Sequence, residues 1–222
     1  MANASFTRDE AILALDVLYR SSGQLPSANS EEIKELCGVL QELPIHPKEN
    51  RRVDFRNESG VRNQLALFKR SFKKGEKDPN VGAVFYSIAI EFENNLEELH
   101  RIANGIRKNV TCFNNLFGSD SEDEGFPEGV LLGHAYRVIE RRDGKKCKLE
   151  QRCSICQIEP DVMYQKGDRI LEAHLIVDPC DIVVSKKYSA RCFITVCPTC
   201  HAALHKYRPW LKKNDCSIIL RR

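Results

Sequence analysis

The sequence predicts an α+β protein with a helical N-terminal domain and a smaller, cysteine-rich C-terminal domain. Apolar residues recur with helical spacing through about the first 110 residues, and two Cys-x-x-Cys pairs separated by 40 residues follow in the second half. Between the halves, Gly118–Gly125 is acidic and lacks apolar periodicity. We expect a domain at 1–110, a linker at 111–129 and a second domain at 130–222; a solvated loop within one domain is the alternative for the acidic stretch.

Five helices are expected in the N-terminal domain. Thr7 and Glu10 have the spacing of a capping box at the start of the first helix, and Ser21–Pro26 ends it. A second helix is expected to begin near Asn29 or Ser30, where acidic residues suit its positive end. Apolar spacing predicts the remaining helices over 59–72, 81–93 and 96–106.

Charge is distributed unevenly along the chain. The net charge is +3, but residues 134–222 contain 18 Lys or Arg and 10 Asp or Glu, a net charge of +8, whereas residues 1–133 carry −5. A basic half can bind phosphates electrostatically. In the N-terminal domain, a short helix, a turn and a basic helix are compatible with entry into a DNA groove, and a packing or dimerisation module is the other interpretation. The candidate DNA contacts there are Arg51, Arg52, Arg56 and Arg62.

Four of the ten cysteines form two chelating pairs, Cys153 with Cys156 and Cys197 with Cys200. This spacing is typical of a structural, tetrahedral Zn²⁺ site with four thiolate ligands; two buried or reactive pairs without metal are the alternative. The N-terminus lacks a basic region followed by an apolar core, and no apolar run reaches the ~18–20 residues of a membrane helix. We therefore expect a cytoplasmic protein with reduced cysteines and no membrane partner.

Two segments of the C-terminal domain resemble the HNH (ββα-metal) endonuclease family in its four-cysteine, McrA-like version. They are Glu172-Ala-His-Leu-Ile176 and Cys197-Pro-Thr-Cys-His-Ala-Ala-Leu-His205. The resemblance implies a ββα-metal domain that hydrolyses phosphodiester bonds of double-stranded DNA with a divalent metal. The N-terminal domain also resembles the helical module of bacterial HNH restriction-type proteins, at Phe6–Tyr19, Leu43–His46 and Phe55–Val61. The segment before the zinc pairs resembles the corresponding segment of the HNH relatives, at Glu128-Gly129, His134 and Glu140-Arg141.

The resemblance also implies roles for single residues. His174 matches a metal-binding histidine, and His201 and His205, four apart on one helix face, match the other ligands of a catalytic Mg²⁺, Mn²⁺ or other divalent ion. Surface histidines beside a purely structural zinc are the alternative for His201 and His205. Leu175 occupies the position of the family's general base, and Cys192 that of the Asn or Asp that orients the base.

The missing base leaves three interpretations open. His174 itself is the base, with the metal left to His201 and His205; or a bound metal activates water without a side-chain base; or the site is inactive and the domain only binds DNA. The third would make the chain a catalytically degenerate HNH-fold DNA-binding protein, and a zinc-ribbon adaptor for other proteins is a further option. If the rest of the site is intact, Leu175→His is expected to raise cleavage.

Basic residues near these motifs are expected to contact backbone phosphates, which position a protein but carry no sequence information. Trp210 is expected to anchor the zinc-binding core or to contact DNA. Double-stranded DNA is the expected partner, and the sequence leaves a homodimer open. The candidate phosphate contacts are Lys186, Lys187, Arg191, Lys206 and Arg208.

Overall fold

The computed structural model describes residues 4–74, 82–116, 131–165 and 170–206. The chain divides into an N-terminal unit, Met1–Leu131, and a C-terminal unit, Leu132–Arg222. The acidic stretch, Arg208 and Trp210 lie outside the described residues. No helix in the described ranges is long and apolar enough to cross a membrane.

The N-terminal unit contains the five expected helices. The fifth continues to Leu116 rather than ending near 106, so the segment predicted as a linker at 111–129 begins inside a helix. The helices are α1 (Arg8–Arg20), α2 (Glu31–Glu42), α3 (Glu58–Lys74), α4 (Ala83–Phe92) and α5 (Leu96–Leu116).

Helix α1 is the centre of the N-terminal unit. All residues from Asp9 to Leu18 are buried, and α1 contacts α2, α3, α4 and α5. A helix buried on all sides is a core helix, and its acidic residues need partners because an unpaired buried charge is costly. Asp16 pairs with His100 and with Arg107. Glu10 accepts a hydrogen bond from the backbone N–H of Thr7 at 2.8 Å, the predicted capping contact.

Glu10 also pairs with Arg56, one of the arginines predicted as DNA contacts, and leaves it little exposed surface for that role. Arg56 is only 5% exposed. Its Nε donates to Glu10 Oε1 at 2.7 Å and its Nη1 donates to the carbonyl of Ala4 at 2.8 Å. Arg51 is engaged as well, donating to the carbonyls of Leu43 and His46, both at 2.8 Å. These two side chains organise the segment after α2 instead of lying free on the surface.

The other two arginines of that cluster are more accessible. Arg52 is exposed and pairs with Asp54 at 3.0 Å, and Arg62 is half-buried near the start of α3. DNA binding through these residues stays a prediction.

The C-terminal unit combines helices with a small sheet. Its strands β1 (Glu172–Leu175) and β2 (Phe193–Val196) are antiparallel, and Glu172 pairs with Val196 at one end of the ladder. Its helices are α6 (Leu131–Asp143), α7 (Pro160–Met163) and α8 (Pro198–Lys206). The described residues are thus mostly helical with a single two-stranded sheet, in agreement with the predicted α+β class.

Close packing brings the end of α6 to β1. The helix ends at Asp143, and a 3-10 turn follows at Gly144–Lys146. A Cβ added at Gly144 would lie 3.0 Å from the Cβ of Ala173. Glycine is therefore favoured here by the close approach of the chain, which places the end of α6 beside β1.

Candidate metal centre

The four predicted zinc cysteines come together in the C-terminal unit. Cys153 and Cys156 lie on a loop before α7, and Cys197 and Cys200 lie at the start of α8; their sulfurs are all within 4.8 Å of one another. The first loop closes through a hydrogen bond from the N–H of Cys153 to the carbonyl of Ile158 at 3.0 Å. We call these four residues the cysteine cluster.

The geometry of the cysteine cluster fits zinc. Four thiolates at ~2.3 Å from a tetrahedral ion would be about 3.8 Å apart, and Cys156 Sγ lies 3.7 Å from Cys197 Sγ. Backbone N–H groups also point at the sulfurs: Ile155 N–H donates to Cys153 Sγ at 3.4 Å. Burial opposes ionisation of Cys153, but these donors outweigh it and lower the pKa of its thiol to about 7, which favours the thiolate that a metal needs.

A second group of four ligand-bearing side chains forms the histidine cluster. Glu140 comes from α6, His174 from β1, and His201 and His205 from successive turns of α8; one ligand atom from each lies within 4.8 Å of the others. The three predicted histidines are therefore brought together, and a carboxylate joins them. These residues could hold a metal ion, since imidazole and carboxylate suit Zn²⁺ and other divalent transition metals.

The atoms of the histidine cluster converge on one point. Glu140 Oε1 lies 2.9 Å from His174 Nδ1, and Glu140 Oε2 lies 2.9 Å from His205 Nε2. The Nε2 atoms of His201 and His205 face each other at 3.0 Å, near the roughly 3.4 Å that two imidazole nitrogens would have on a tetrahedral zinc ion. His174 Nδ1 is buried and has no well-aligned hydrogen bond to any described residue. Such a nitrogen fits a metal ligand better than a packing residue.

Neighbouring groups hold the ligands in position. Glu172 Oε2 lies 2.5 Å from His201 Nδ1, the ring nitrogen that does not face the cluster. The backbone N–H of Leu175 donates to Glu140 Oε1 at 2.9 Å. Hydrogen bonds of this kind fix the tautomer and the orientation of metal ligands.

Burial and charge act in opposite directions within the histidine cluster. Burial would raise the pKa of Glu140, but the three imidazoles that face its carboxylate hold that pKa well below its usual range. Burial lowers the pKa of His174 despite the nearby carboxylate. Burial also acts to lower the pKa of His201, but Glu140 and Glu172 outweigh it and raise that pKa. Glu140 is thus an anion and His174 a neutral imidazole near pH 7, which are the ligand forms of both groups.

The histidine cluster is accessible from a cleft of about 680 Å³. Glu140, His201 and His205 line its surface, together with Glu172 beside them. Several cations also line it, including Lys206, which follows the last ligand in the chain. The cleft can therefore admit an anionic group to the ligand atoms.

Two residues with predicted roles in catalysis lie outside the cluster. Leu175 is fully buried, and because successive side chains of a strand point to opposite sides, it faces away from His174. The backbone carbonyl of Cys192 accepts a hydrogen bond from the N–H of Ile176 at 2.8 Å. The side chain of Cys192 has Ser189 Oγ as a neighbour, at 3.9 Å.

Glu140 is the site residue for which sequence reasoning gave no ligand role. A signal was present: Glu140 is four residues after Tyr136 and next to Ile139, on the buried side of α6. An acidic residue in that register must find buried cations, hydrogen-bond donors or a metal. Its partners are far away in sequence, so the pattern alone does not identify them.

Among the described residues of this unit, one predicted phosphate contact lines the cleft and three do not. Lys206 lines the cleft, whereas Lys186, Lys187 and Arg191 are exposed but are not among the residues that line it. Their role in DNA binding stays a prediction.

Comparison with known protein families, with curated proteins and with solved structures gave no match for this chain. A functional assignment therefore depends on the geometry of the two clusters and on the residues that resemble the HNH motif.

Proposed function

We propose that this chain is a metal-dependent endonuclease of the HNH type that hydrolyses phosphodiester bonds in DNA. The observation that carries the proposal is the convergence of Glu140, His174, His201 and His205 at an open cleft with basic walls. The order of β1, β2 and α8 matches the strand, strand and helix of the ββα-metal arrangement that the sequence resemblance implies. Restriction of foreign DNA is the role that goes with this resemblance.

The roles of the side chains follow from their positions. Glu140 and the three histidines would hold one divalent ion, and the ion would polarise the phosphodiester and lower the pKa of a water molecule. Three neutral imidazoles and one carboxylate leave a net positive charge on a site with a divalent ion, which favours an anionic substrate. Glu172 keeps His201 oriented through its Nδ1.

The same geometry favours one interpretation of the missing base. His174 is 6% exposed and its Nδ1 faces Glu140, so this nitrogen is better placed to hold a metal than to accept a proton from water. Leu175 has no proton-accepting group and is buried. Water activation without a dedicated side-chain base is therefore the mechanism we propose, and we expect slow cleavage, since general-base catalysis typically contributes about 10²–10⁴-fold.

Binding without cleavage is the second candidate, and the burial of Leu175 favours it. A degenerate HNH domain would keep its fold and its basic surface but lose turnover. The two candidates make different demands on the histidine cluster, because only cleavage requires a metal there.

Nicking of supercoiled plasmid by the full chain distinguishes the two candidates. We expect slow nicking with Mn²⁺ or another transition metal, and weaker nicking with Mg²⁺ because imidazole ligands suit it poorly. His205→Ala should abolish the activity, whereas His134→Ala, a histidine of α6 outside the cluster, should retain it. Duplex binding without nicking under any metal would reject the endonuclease and support the binding-only candidate.

A further inference from the structure

Four cations line the cleft beside the histidine cluster and form what we call the cation rim. Arg137, Arg141, Lys145 and Lys206 are all exposed. Among the described residues, no ion pair engages them. The rim therefore has positive charge that the described part of this unit does not neutralise.

Arg142, which lies next to the rim residue Arg141 in the chain, differs from the rim because its charge is paired. Arg142 pairs with Asp143 at 2.8 Å and donates to the carbonyl of Val184 at 3.0 Å. Its guanidinium is committed to the fold, whereas that of Arg141, the preceding residue, points to the cleft. Arg142 therefore has a structural role, whereas Arg141 is available to bind a ligand in the cleft.

Two cations of the rim directly follow residues of the histidine cluster in the chain. Arg137 and Arg141 are one helical turn apart on α6, about 6 Å along the axis, and Arg141 follows the ligand Glu140. On the other wall, Lys206 follows the ligand His205. An anion held by these cations would lie next to the histidine cluster.

The remaining lining says what kind of anion fits. Apart from His201 and His205, no aromatic side chain lines the described part of the cleft, and neither does any Asn or Gln. Stacking on aromatic rings and amide hydrogen bonds are major means of recognising bases. Guanidinium groups match the oxygens of phosphate in bidentate geometry. They also bind guanine, and a loss of affinity that depends on DNA sequence is the result that would reveal this use.

The geometry points to the cation rim as the binding site for the phosphodiester backbone of a nucleic acid strand, held along α6 without recognition of its bases. This inference rests on the proposed function, because both concern the same cleft. It adds a role as substrate contacts for Arg137 and Arg141, which are not among the candidate DNA contacts predicted from the sequence. Successive phosphates would occupy successive turns of α6, with one of them over the histidine cluster.

The test is fluorescence anisotropy of a labelled mixed-sequence DNA duplex, titrated with the full, zinc-containing chain over a range of salt concentrations. Each phosphate contact contributes about 0.9 to the slope of log affinity against log salt for duplex DNA. Arg137→Ala/Arg141→Ala should therefore reduce the slope by about two and weaken binding equally for unrelated sequences. The conservative pair Arg137→Lys/Arg141→Lys should keep most of the slope, because it keeps the charges.

Lys146→Ala/Lys148→Ala is the matched control, since it removes two exposed charges of the same unit that do not line the cleft. A slope that falls no further in the rim variant than in this control would overturn the inference. So would a loss of affinity that depends on DNA sequence. Unchanged zinc content and thermal unfolding show that each variant is folded.

Plasmid nicking, measured in parallel, separates this inference from the proposed function. A rim-dependent slope without any nicking by the wild-type chain supports the inference and counts against the endonuclease. Nicking by the wild-type chain without a rim-dependent slope supports the endonuclease and counts against the inference.

Discussion

The cysteine cluster and the histidine cluster are built in the same unit but differ in their access to solvent. Cys153, Cys197 and Cys200 are buried and pack with Val196 and Leu204 in one hydrophobic core. The histidine cluster lines a cleft of about 680 Å³. Structural zinc sites have all four positions filled by protein and are closed, whereas catalytic sites keep access for water or substrate. This difference in access is the one that separates structural from catalytic metal sites, and the proposed function depends on it.

The cysteine cluster and the histidine cluster also differ in the chemistry of their ligand atoms. Four thiolates suit zinc and hold it tightly, whereas nitrogen and oxygen ligands accept several divalent metals. The cysteines are themselves part of a hydrophobic core of the C-terminal unit, so a metal bound by them would be held within that core. A metal bound by the histidine cluster would lie beside the cleft instead.

The largest expected effect is that of Cys197→Ser. It should abolish cooperative folding of the C-terminal unit, because metal binding at structural zinc sites contributes about 10–16 kcal/mol in small domains. Circular dichroism during urea unfolding and elemental analysis for zinc measure this. The control is Cys192→Ser, a half-buried cysteine outside the cluster, which should keep its zinc and its transition. Normal folding of Cys197→Ser without zinc would show that the cysteines are only packing residues.

Leu175→His tests the difference between the two sides of β1. Because Leu175 is fully buried and faces away from His174, the new imidazole would enter the core rather than the cleft. We expect a loss of about 3 kcal/mol in unfolding free energy and no gain in nicking, in contrast to the expectation from sequence. Ile176→His, at a half-buried neighbouring position, should cost less. A rise in nicking for Leu175→His would restore the view that position 175 is that of the base.

These outcomes bear on what the sequence could predict. The cysteine pairs were predictable because each pair forms its chelate within four residues, and His201 with His205 because helical spacing places them on one face. The helices of the N-terminal unit followed from apolar periodicity, although the end of α5 did not. Local patterns of this kind need no knowledge of distant contacts.

Long-range pairing was not predictable in the same way. Glu140 contacts His174, which is 34 residues away in the sequence, and Arg56 pairs with Glu10, which is 46 residues away. The sequence shows that a buried acid needs a partner but does not say which cation supplies it. Arg56 was therefore grouped with the candidate DNA contacts, although a buried carboxylate on α1 engages it.

Glu172→Gln has a moderate expected effect and sharpens the difference between the clusters. Loss of a carboxylate that orients a metal-binding histidine typically lowers metal affinity 10–100-fold. Competition titration with a chromophoric chelator should show this loss at the histidine cluster only, with the cysteine cluster unchanged. Glu150→Gln, an exposed carboxylate of the same unit, should have no effect. Equal metal affinities of Glu172→Gln and the wild-type chain would remove Glu172 from the site.

Gly144→Ala has the smallest expected effect. The added Cβ would meet the Cβ of Ala173 at 3.0 Å and push β1 from the end of α6, where Glu140 and His174 must meet. We expect a loss of about 1 kcal/mol in unfolding free energy and weaker metal binding at the histidine cluster. Gly38→Ala in α2 is the control: nothing lies within 4 Å of its added Cβ, and a helical Ala is favoured over Gly. If both variants behaved alike, the packing of α6 on β1 would not position the site.

The number of metal ions per chain tests the central claim, that the C-terminal unit contains one closed metal site and one open site. Native mass spectrometry and elemental analysis should find two ions in the wild-type chain when it is supplied with Zn²⁺. His205→Ala should bind one ion and stay folded, whereas Cys197→Ser should lose its fold. One ion in both the wild-type chain and His205→Ala, held by the cysteines alone, would contradict the claim.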